Sequence, residues 1–338
     1  MKASIIIVNW NGKTHLPVCL ESLKAQTFSD FETIMVDNGS SDDSLEFVAS
    51  HFPWVKTVPL FVNQGFAGGN NAALPHASGE YIITLNNDTD ADPGWLEELV
   101  RVADENPAVG MVASRICAYD DHDMIDSLGV KVCRDGMSRG AFRLQRFSEL
   151  ALGKTEEILM PSGCAALYRR QMIATVGFFD DDFFAYCEDS DLGLRGRRAG
   201  WKALLARDAV IYHKYSQTGG TFSPLKLYLV ERNHYWVAFK NYPLTSILAL
   251  PFATIGRYIE QARVVLASQG AGQQFAESSS KSVCAIALIR GVIDALKMLP
   301  KMLAKRRNFA SIRKLGDQEF GRLLHEYEFS FRELFDAS

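Results

Sequence analysis

Three short stretches of this sequence carry residue types that can do chemistry. The first is Asn86-Asn87-Asp88, with Asp90 and Asp92 just beyond. A carboxylate standing where an apolar strand stops can hold a divalent cation against a diphosphate. Mg²⁺ and Mn²⁺ favour oxygen ligands and bind through one or two carboxylates plus phosphate oxygens. The second stretch is Glu188-Asp189-Ser190-Asp191, directly after the aromatic run Phe183-Phe184-Ala185-Tyr186. Its carboxylates are costly if buried together. Acidic residues in a first helical turn also suit the helix dipole, but capping needs only one of them. The third is His213, after the apolar Ala209-Val210-Ile211-Tyr212. A lone His is more often structural than a ligand, and this one gains weight only beside the other two stretches.

The elements that must position these groups follow a β-α rhythm. Ser4 to Val8 is a continuous apolar run, as a strand covered on both faces requires. His15–Gln26 has helical spacing of Leu16, Cys19, Leu20 and Leu23. Strands are predicted at Glu32–Val36, Val55–Val62, Tyr81–Leu85 and Val109–Ala113, and helices at Ser44–Ser50 and Asn70–Ala77. This order predicts an α/β fold with a mostly parallel central sheet flanked by helices. Asn9-Trp10-Asn11-Gly12, Asp37-Asn38-Gly39 and Asn86-Asn87-Asp88 all stand where apolar runs stop. Turn chemistry explains any one of them. Three together, at the carboxyl ends of parallel strands, predict one shared ligand crevice.

Arg134–Lys154 reads as a polar, irregular loop over the site, and Met160–Tyr168 as an extended run of small residues that lets backbone approach a ligand. Leu225–Lys240 reads as a helix, as do the long apolar segments Pro243–Ala267 and Ser282–Arg307. Arg257 and Glu260 interrupt the first long segment, and Arg290 and Asp294 the second, so neither has the ~18 apolar residues of a membrane span. The second ends in Lys297, Lys301, Lys305, Arg306 and Arg307. Two readings stand side by side: a basic amphipathic helix on an anionic membrane surface, or a helix packed on the main domain with its lysines solvated.

A formal net charge of −4 argues against a nucleic-acid binder. The six cysteines have neither CxxC pairs nor zinc spacing and read as scattered thiols in a reducing compartment. The first apolar run is too short for a secretory leader, which predicts a cytoplasmic chain.

The ordered set of motifs resembles the family 2 glycosyltransferases of the GT-A fold, in the rhamnosyltransferase-like branch that builds bacterial surface polysaccharides. The matching pieces are Val8-Asn9-Trp10-Asn11-Gly12, Val36-Asp37-Asn38-Gly39-Ser40, Asn63-Gln64-Gly65-Phe66-Ala67-Gly68-Gly69-Asn70, Leu85-Asn86-Asn87-Asp88 and Cys187-Glu188-Asp189-Ser190-Asp191. The resemblance implies a GT-A catalytic domain over residues 1–242, with a nucleotide-binding half to residue 100 and an acceptor-binding half beyond. It further implies a helical C-terminal extension over residues 243–338, for which the two readings above, on a membrane or packed on the main domain, both stand. It implies donor binding by Asn9, Trp10, Asn11, Asp37, Asn63, Gly68, Asn86, Asn87 and Gly163, with Asp37 on a uracil or thymine base and its ribose. It implies a Mg²⁺ or Mn²⁺ ion on Asp88 and His213, with Asn86 where the family's motif has its first acidic residue, so that metal binding rests more heavily on Asp88. Asp189 falls at the catalytic base, with Glu188 and Asp191 beside it. The implied partners are a dTDP- or UDP-sugar donor, a glycan or lipid-linked acceptor, and an anionic membrane at the inner face of the cell.

Two other classes compete. A dehydrogenase needs G-x-G-x-x-G after its first strand, and this chain has Asn9-Trp10-Asn11-Gly12 there. A nucleotidyltransferase wants a glycine-rich, basic first loop, for which Lys13 alone is thin support. A non-catalytic glycan-binding relative is expected to lose its carboxylates first, yet Asp88, Glu188, Asp189 and Asp191 are all present.

Overall fold

The computed structural model describes residues 1–214, 223–266 and 281–336. The chain divides into two compact units. The first holds Met1–Val130, Gly140–Arg197 and the strand that begins after Trp201. The second holds Lys131–Arg139, Arg198–Gly200 and the helices from Pro224 onward.

The first unit opens with β1 (Ala3–Asn9), α1 (Leu16–Lys24), β2 (Phe31–Asn38), α2 (Ser44–His51), β3 (Lys56–Leu60), α3 (Gly65–Ala73) and β4 (Tyr81–Asn86). Next come β5 (Thr89–Ala91), α4 (Trp95–Glu105), β6 (Val109–Ala118) and β7 (Ile125–Ser127). β8 (Val130–Val132) and β9 (Ser138–Gly140) come next in the chain and form a small ribbon of their own, of which Lys131–Arg139 belongs to the second unit. β10 (Thr155–Glu157), β11 (Ala165–Arg169), α5 (Arg170–Val176), α6 (Glu188–Arg198) and β12 (Lys202–His213) follow.

Among the described residues the main sheet has the path β10-β12-β6-β11-β4-β1-β2-β3. β3, β2, β1 and β4 are mutually parallel, as the apolar runs predict. β11 then enters antiparallel between β4 and β6, and β12 is again parallel to β6. The fold is thus α/β with a parallel half and a mixed half. β1 is buried along nearly its whole length. Leu16, Leu20 and Leu23 of α1 and Trp95, Leu96 and Leu99 of α4 join one core with Ile5, Ile7, Ile83 and Leu85. Each such apolar side chain contributes about 1.5–3 kcal/mol when fully buried.

Two elements differ from expectation. The helix expected over Asn70–Ala77 begins at Gly65 and ends at Ala73, with a 3₁₀ turn over Leu74–His76. Its glycines are poor helix formers, but packing requires them: a Cβ on Gly69 would stand 2.6 Å from Val8. The segment expected as one helix over Ser282–Arg307 is two, because Pro300 lies in the first turn of the second.

The second unit holds α7 (Pro224–Asn241), α8 (Leu244–Leu266), α9 (Lys281–Lys297), α10 (Leu299–Asn308), α11 (Asp317–Glu326) and α12 (Phe331–Asp336). A charge network lies inside it. Arg257 donates from Nε to Asp135 (2.5 Å) and from Nη2 to Glu231 (2.8 Å). Tyr258 donates to the same Glu231 oxygen (2.6 Å), and His234 Nδ1 donates to the Asp135 carbonyl (2.9 Å). Position alone points to Glu231-Arg232-Asn233-His234 and to the Arg134–Lys154 loop as acceptor contacts. The structure corrects this for Glu231, Asn233, His234 and Asp135, which are all buried and turned inward.

No helix among the described residues is long and apolar enough to cross a membrane. Two helices do expose apolar stripes. On α8 these are Leu244, Leu248, Phe252, Ile255 and Ile259; on α9 they are Val283, Ile286, Ile289, Ile293 and Leu296. The spacing of three and four residues puts each set along one side of its helix.

Candidate active site

Sheet register assembles the site. Asn9 at the end of β1 lies beside Asp37 of β2, and Val8 beside Asn86 of β4. The three polar clusters therefore stand side by side at the carboxyl ends of neighbouring parallel strands, as the sequence predicts. Asn87 donates to Asn9 Oδ1 (2.7 Å), and Asn9 donates to Ser40 Oγ (3.4 Å). The Asn11 amide also donates to Ser40 Oγ (3.0 Å), while Asn11 Oδ1 accepts from the Ser41 amide (2.7 Å). Gly12 is demanded by this lock, since a Cβ there would meet Asn87 at 2.2 Å and Asn9 at 2.5 Å.

Asp37 is 6% exposed. Its Oδ2 accepts from the Ser40 amide (3.3 Å), whereas its buried Oδ1 has no hydrogen-bond partner. A buried carboxylate oxygen without a donor is costly unless a ligand supplies one. Asn63 is joined to the same strand end through Asn38, which donates to Asn63 Oδ1 (3.0 Å) and accepts from the Gln64 amide (2.9 Å). Asn38 and Ser40 stand within the quoted motif, yet sequence reasoning gave them no role. Gly68 packs within its own helix, where a Cβ would be 2.7 Å from Gln64. Trp10 keeps its side chain at the surface, 39% exposed.

The second cluster forms where the chain turns back after β4. β5 pairs antiparallel with Ile211–His213 of β12, and the Lys214 amide donates to the Asp88 carbonyl (3.0 Å). This brings His213 Nε2 to 3.3 Å from Asp88 Oδ1 and about as near to the Asn86 amide, at 3.5 Å. The other ring nitrogen, Nδ1, is 2.8 Å from Asp126 Oδ2 in β7. Asp126 carries no local sequence signal and escapes a reading of the sequence. Burial works against charge on the His213 ring, yet Cys164 and the carboxylates of Asp126 and Asp88 hold it well above the usual imidazole range. Burial also opposes charge on Asp88, and the bond to His213 overcomes it and keeps that carboxyl below its ordinary value. Among the described residues no group of three His, Cys, Asp or Glu side chains could by itself hold a metal. Asp88 and His213 are an oxygen and a nitrogen donor at a spacing that suits neighbouring ligands of one ion. A donor's phosphates would complete such a shell, so the residues fit a Mg²⁺ or Mn²⁺ that is shared with its ligand.

The third cluster opens α6. Phe184, Tyr186 and Cys187 all have positive φ, at 66°, 70° and 67°. Such backbone costs about 1–3 kcal/mol per residue and gathers at functional sites. The turn is fixed against α3: the Phe184 carbonyl accepts from the Ala67 amide (3.0 Å) and lies where a Cβ on Gly65 would come to 2.2 Å. Asp189 is half-buried. Its Oδ2 accepts from the Gly163 amide (2.9 Å) and its Oδ1 from the Ser190 amide (2.7 Å). Burial raises its pKa above the usual aspartate value, against the pull of those amides. Glu188 is raised further, by burial and then by the charge of Asp189, and its buried Oε2 has no partner. Asp191 turns elsewhere. Fully buried, it takes Arg195 Nε at 2.8 Å, and Arg195 in turn donates to the carbonyls of Gly177 and Phe178.

Comparison with known proteins agrees with this geometry. Residues 4–177 match the family model Glycosyl transferase family 2, which is more than half of the chain. The chain belongs to that family. As a family 2 member it is a glycosyltransferase. It is similar to the N-acetylglucosaminyl-diphospho-decaprenol L-rhamnosyltransferase of Mycobacterium tuberculosis, with 28% identity over 240 residues covering 64% of this chain and 77% of the relative. Against the O-antigen biosynthesis protein RfbC of Myxococcus xanthus identity is 29%, over 71% of this chain but 19% of that longer protein. Among solved structures, the 1–349 fragment of TarS of S. aureus aligns with a TM-score of 0.54 at 18% identity, covering 96% of this chain and 90% of that fragment. The mannosyltransferase PcManGT of Pyrobaculum calidifontis, solved with GDP-Man and Mn²⁺, aligns at 0.52 and 18% identity, covering 92% of this chain and 85% of its own. These likenesses establish the GT-A fold of this family 2 enzyme.

Proposed function

We propose that this glycosyltransferase moves a hexosyl group, with inversion, from a pyrimidine nucleoside-diphosphate donor to a hydroxyl of a glycan or lipid-linked acceptor. The observation that carries the reading is Asp37, whose buried Oδ1 faces no protein donor at the joint end of β1, β2 and β4. A uracil or thymine N–H, or a ribose hydroxyl, supplies that donor. Asn9, Asn11, Asn63 and Asn87 line the same strand ends and complete the nucleotide contacts, and Gly163 lies beside the base, next to the donor sugar. dTDP-rhamnose is the first donor to test, because the M. tuberculosis relative is an L-rhamnosyltransferase acting on a diphospho-decaprenol glycolipid.

Asp189 takes the proton of the acceptor hydroxyl as its oxygen attacks the anomeric carbon. The bond from that carbon to the donor's phosphate oxygen breaks in the same displacement, and the nucleoside diphosphate leaves. A divalent cation held by Asp88 and His213 would offset the charge on that diphosphate. One base and no covalent step give inversion. Burial, and then the charge of Asp189, raise Glu188 well above its ordinary value, which leaves Asp189 as the candidate base of the pair.

The test is turnover across a panel of dTDP-, UDP- and GDP-sugars with Mn²⁺ or Mg²⁺, with the product's anomeric configuration read by NMR. The expected result is one preferred pyrimidine donor and an inverted product. A retained configuration, or a purine donor as the preferred one, overturns the reading.

We also assign the exposed stripes of α8 and α9 to an anionic membrane surface, where a lipid-linked acceptor would lie. Arg290 and Lys297, exposed on α9 and both paired to Asp294, flank its stripe with a net positive charge of one. In co-sedimentation with phosphatidylglycerol vesicles, the full chain carrying Phe252→Ser and Ile289→Ser is expected to bind about 10-fold more weakly. Equal vesicle binding by that variant refutes the assignment.

A further inference from the structure

We propose that Asp126 is a positioning residue for the cation site: it fixes the His213 ring so that Nε2 turns toward Asp88 and the cation. The inference rests on the metal reading above and adds a residue to it. Asp126 Oδ2 lies 2.8 Å from His213 Nδ1, on the side of the ring opposite Asp88, whose Oδ1 is 3.3 Å from Nε2. The ring is 7% exposed and Asp88 5%, so the protein rather than bulk water sets the orientation.

The chemistry requires such a partner. A neutral imidazole has one N–H and one lone pair, and a ligand must present the lone pair to the metal. A carboxylate at Nδ1 holds that nitrogen's proton in place, so that the lone pair a cation would take, in exchange for a proton, is the one at Nε2. Asp126 is itself held. It sits in the middle of β7, which pairs with β6, while His213 ends β12 on the other side of β6. Arg143 stands 3.5 Å from its second oxygen, Oδ1. Gly140 lets a neighbouring segment pass close, since a Cβ there would come to 2.6 Å from the Asp126 carbonyl. The carboxylate is thus held by Arg143 and by its place in β7, with one oxygen on one ring nitrogen.

The experiment titrates Mn²⁺ into the full chain, alone and with UDP present, and follows the loss of the free-Mn²⁺ electron paramagnetic resonance signal. Wild type, Asp126→Asn, His213→Ala and the double variant are compared, with circular dichroism as the check on folding. Asp126→Asn is expected to weaken Mn²⁺ binding by about 10- to 100-fold. In the His213→Ala background the same change is expected to cost nothing further, because Asp126 acts through that ring. A role apart from that ring, such as the ion pair with Arg143, would instead cost the same factor in both backgrounds, and that result overturns the proposal. Wild-type Mn²⁺ affinity in Asp126→Asn overturns it too. If wild type itself takes up no Mn²⁺ with or without UDP, the metal reading fails first and this inference with it. Should Asp126→Asn fail to fold, Asp126→Ser takes its place with the same expectations.

Discussion

Asp189→Asn lowers the rate of sugar transfer by about 10²- to 10⁴-fold, the usual worth of a positioned general base, and leaves donor affinity unchanged. The substitution keeps the size of the side chain and one of the two bonds from the Gly163 and Ser190 amides; the other is lost, because the amide NH2 of Asn cannot accept. Lost with it is the capacity to accept a proton. With Asp189 as the proposed base, the wild-type rate is expected to follow its ionised fraction. Because burial holds its pKa above the ordinary aspartate value of 3.8, the rate rises with pH through an acid limb that lies above that value. Asp189→Asn removes this limb. Steady-state kinetics from pH 4 to pH 8 check both points. An unchanged limb in the variant assigns the proton transfer to another group, and a variant that no longer binds donor assigns Asp189 to binding instead.

Arg257→Met destabilises the second unit by about 3–5 kcal/mol, because it leaves Asp135 and Glu231 buried without their cation. Methionine fills much of the same volume, so the loss is electrostatic and not a cavity. Removing the charges together, as Arg257→Met with Asp135→Asn and Glu231→Gln, recovers most of the loss. The same network gives a pH signature. Burial opposes charge on Glu231, but bonds from His234, Arg257 and Tyr258 bring its folded pKa from 4.5 to about 2. Its contribution is fully present above pH 4.5 and is lost as the pH falls toward 2. Hydrogen exchange of the α7 amides, measured against denaturant and pH, reads both effects on this unit alone. Unchanged α7 protection in Arg257→Met rejects the prediction.

The parallel half of the sheet is legible because burial on both faces leaves unbroken apolar runs, as at Ile5-Ile6-Ile7-Val8, and because polar clusters mark where they stop. Strand direction has no such mark, and nothing in Ala165–Arg169 announces that β11 runs antiparallel. α3 is hidden for the opposite reason: its glycines speak against a helix locally, and contacts with Val8 and Phe184 override them. In the site, Asp189 and Asp191 look equivalent on paper. Two residues along a helix are about 200° of rotation, so one faces the site and the other the Arg195 guanidinium. The inward turn of Glu231 and His234 is hidden too, since a helix of mixed polar and aromatic residues gives no amphipathic face to read. Asp126 is a lone acid in a short strand, and its meaning appears only when β6 brings it to the far side of His213.

The amides of Gly163 and Ser190 each hold one oxygen of Asp189. A carboxylate pinned at both ends cannot swing to follow its substrate. An acceptor sugar presents several hydroxyls of nearly equal acidity, and only the one that reaches this stationary oxygen can be deprotonated as it attacks. With Asp189 as the proposed base, the regiochemistry of the new linkage is expected to follow from two backbone N–H groups, and an acceptor turned by one ring position to bind without reacting.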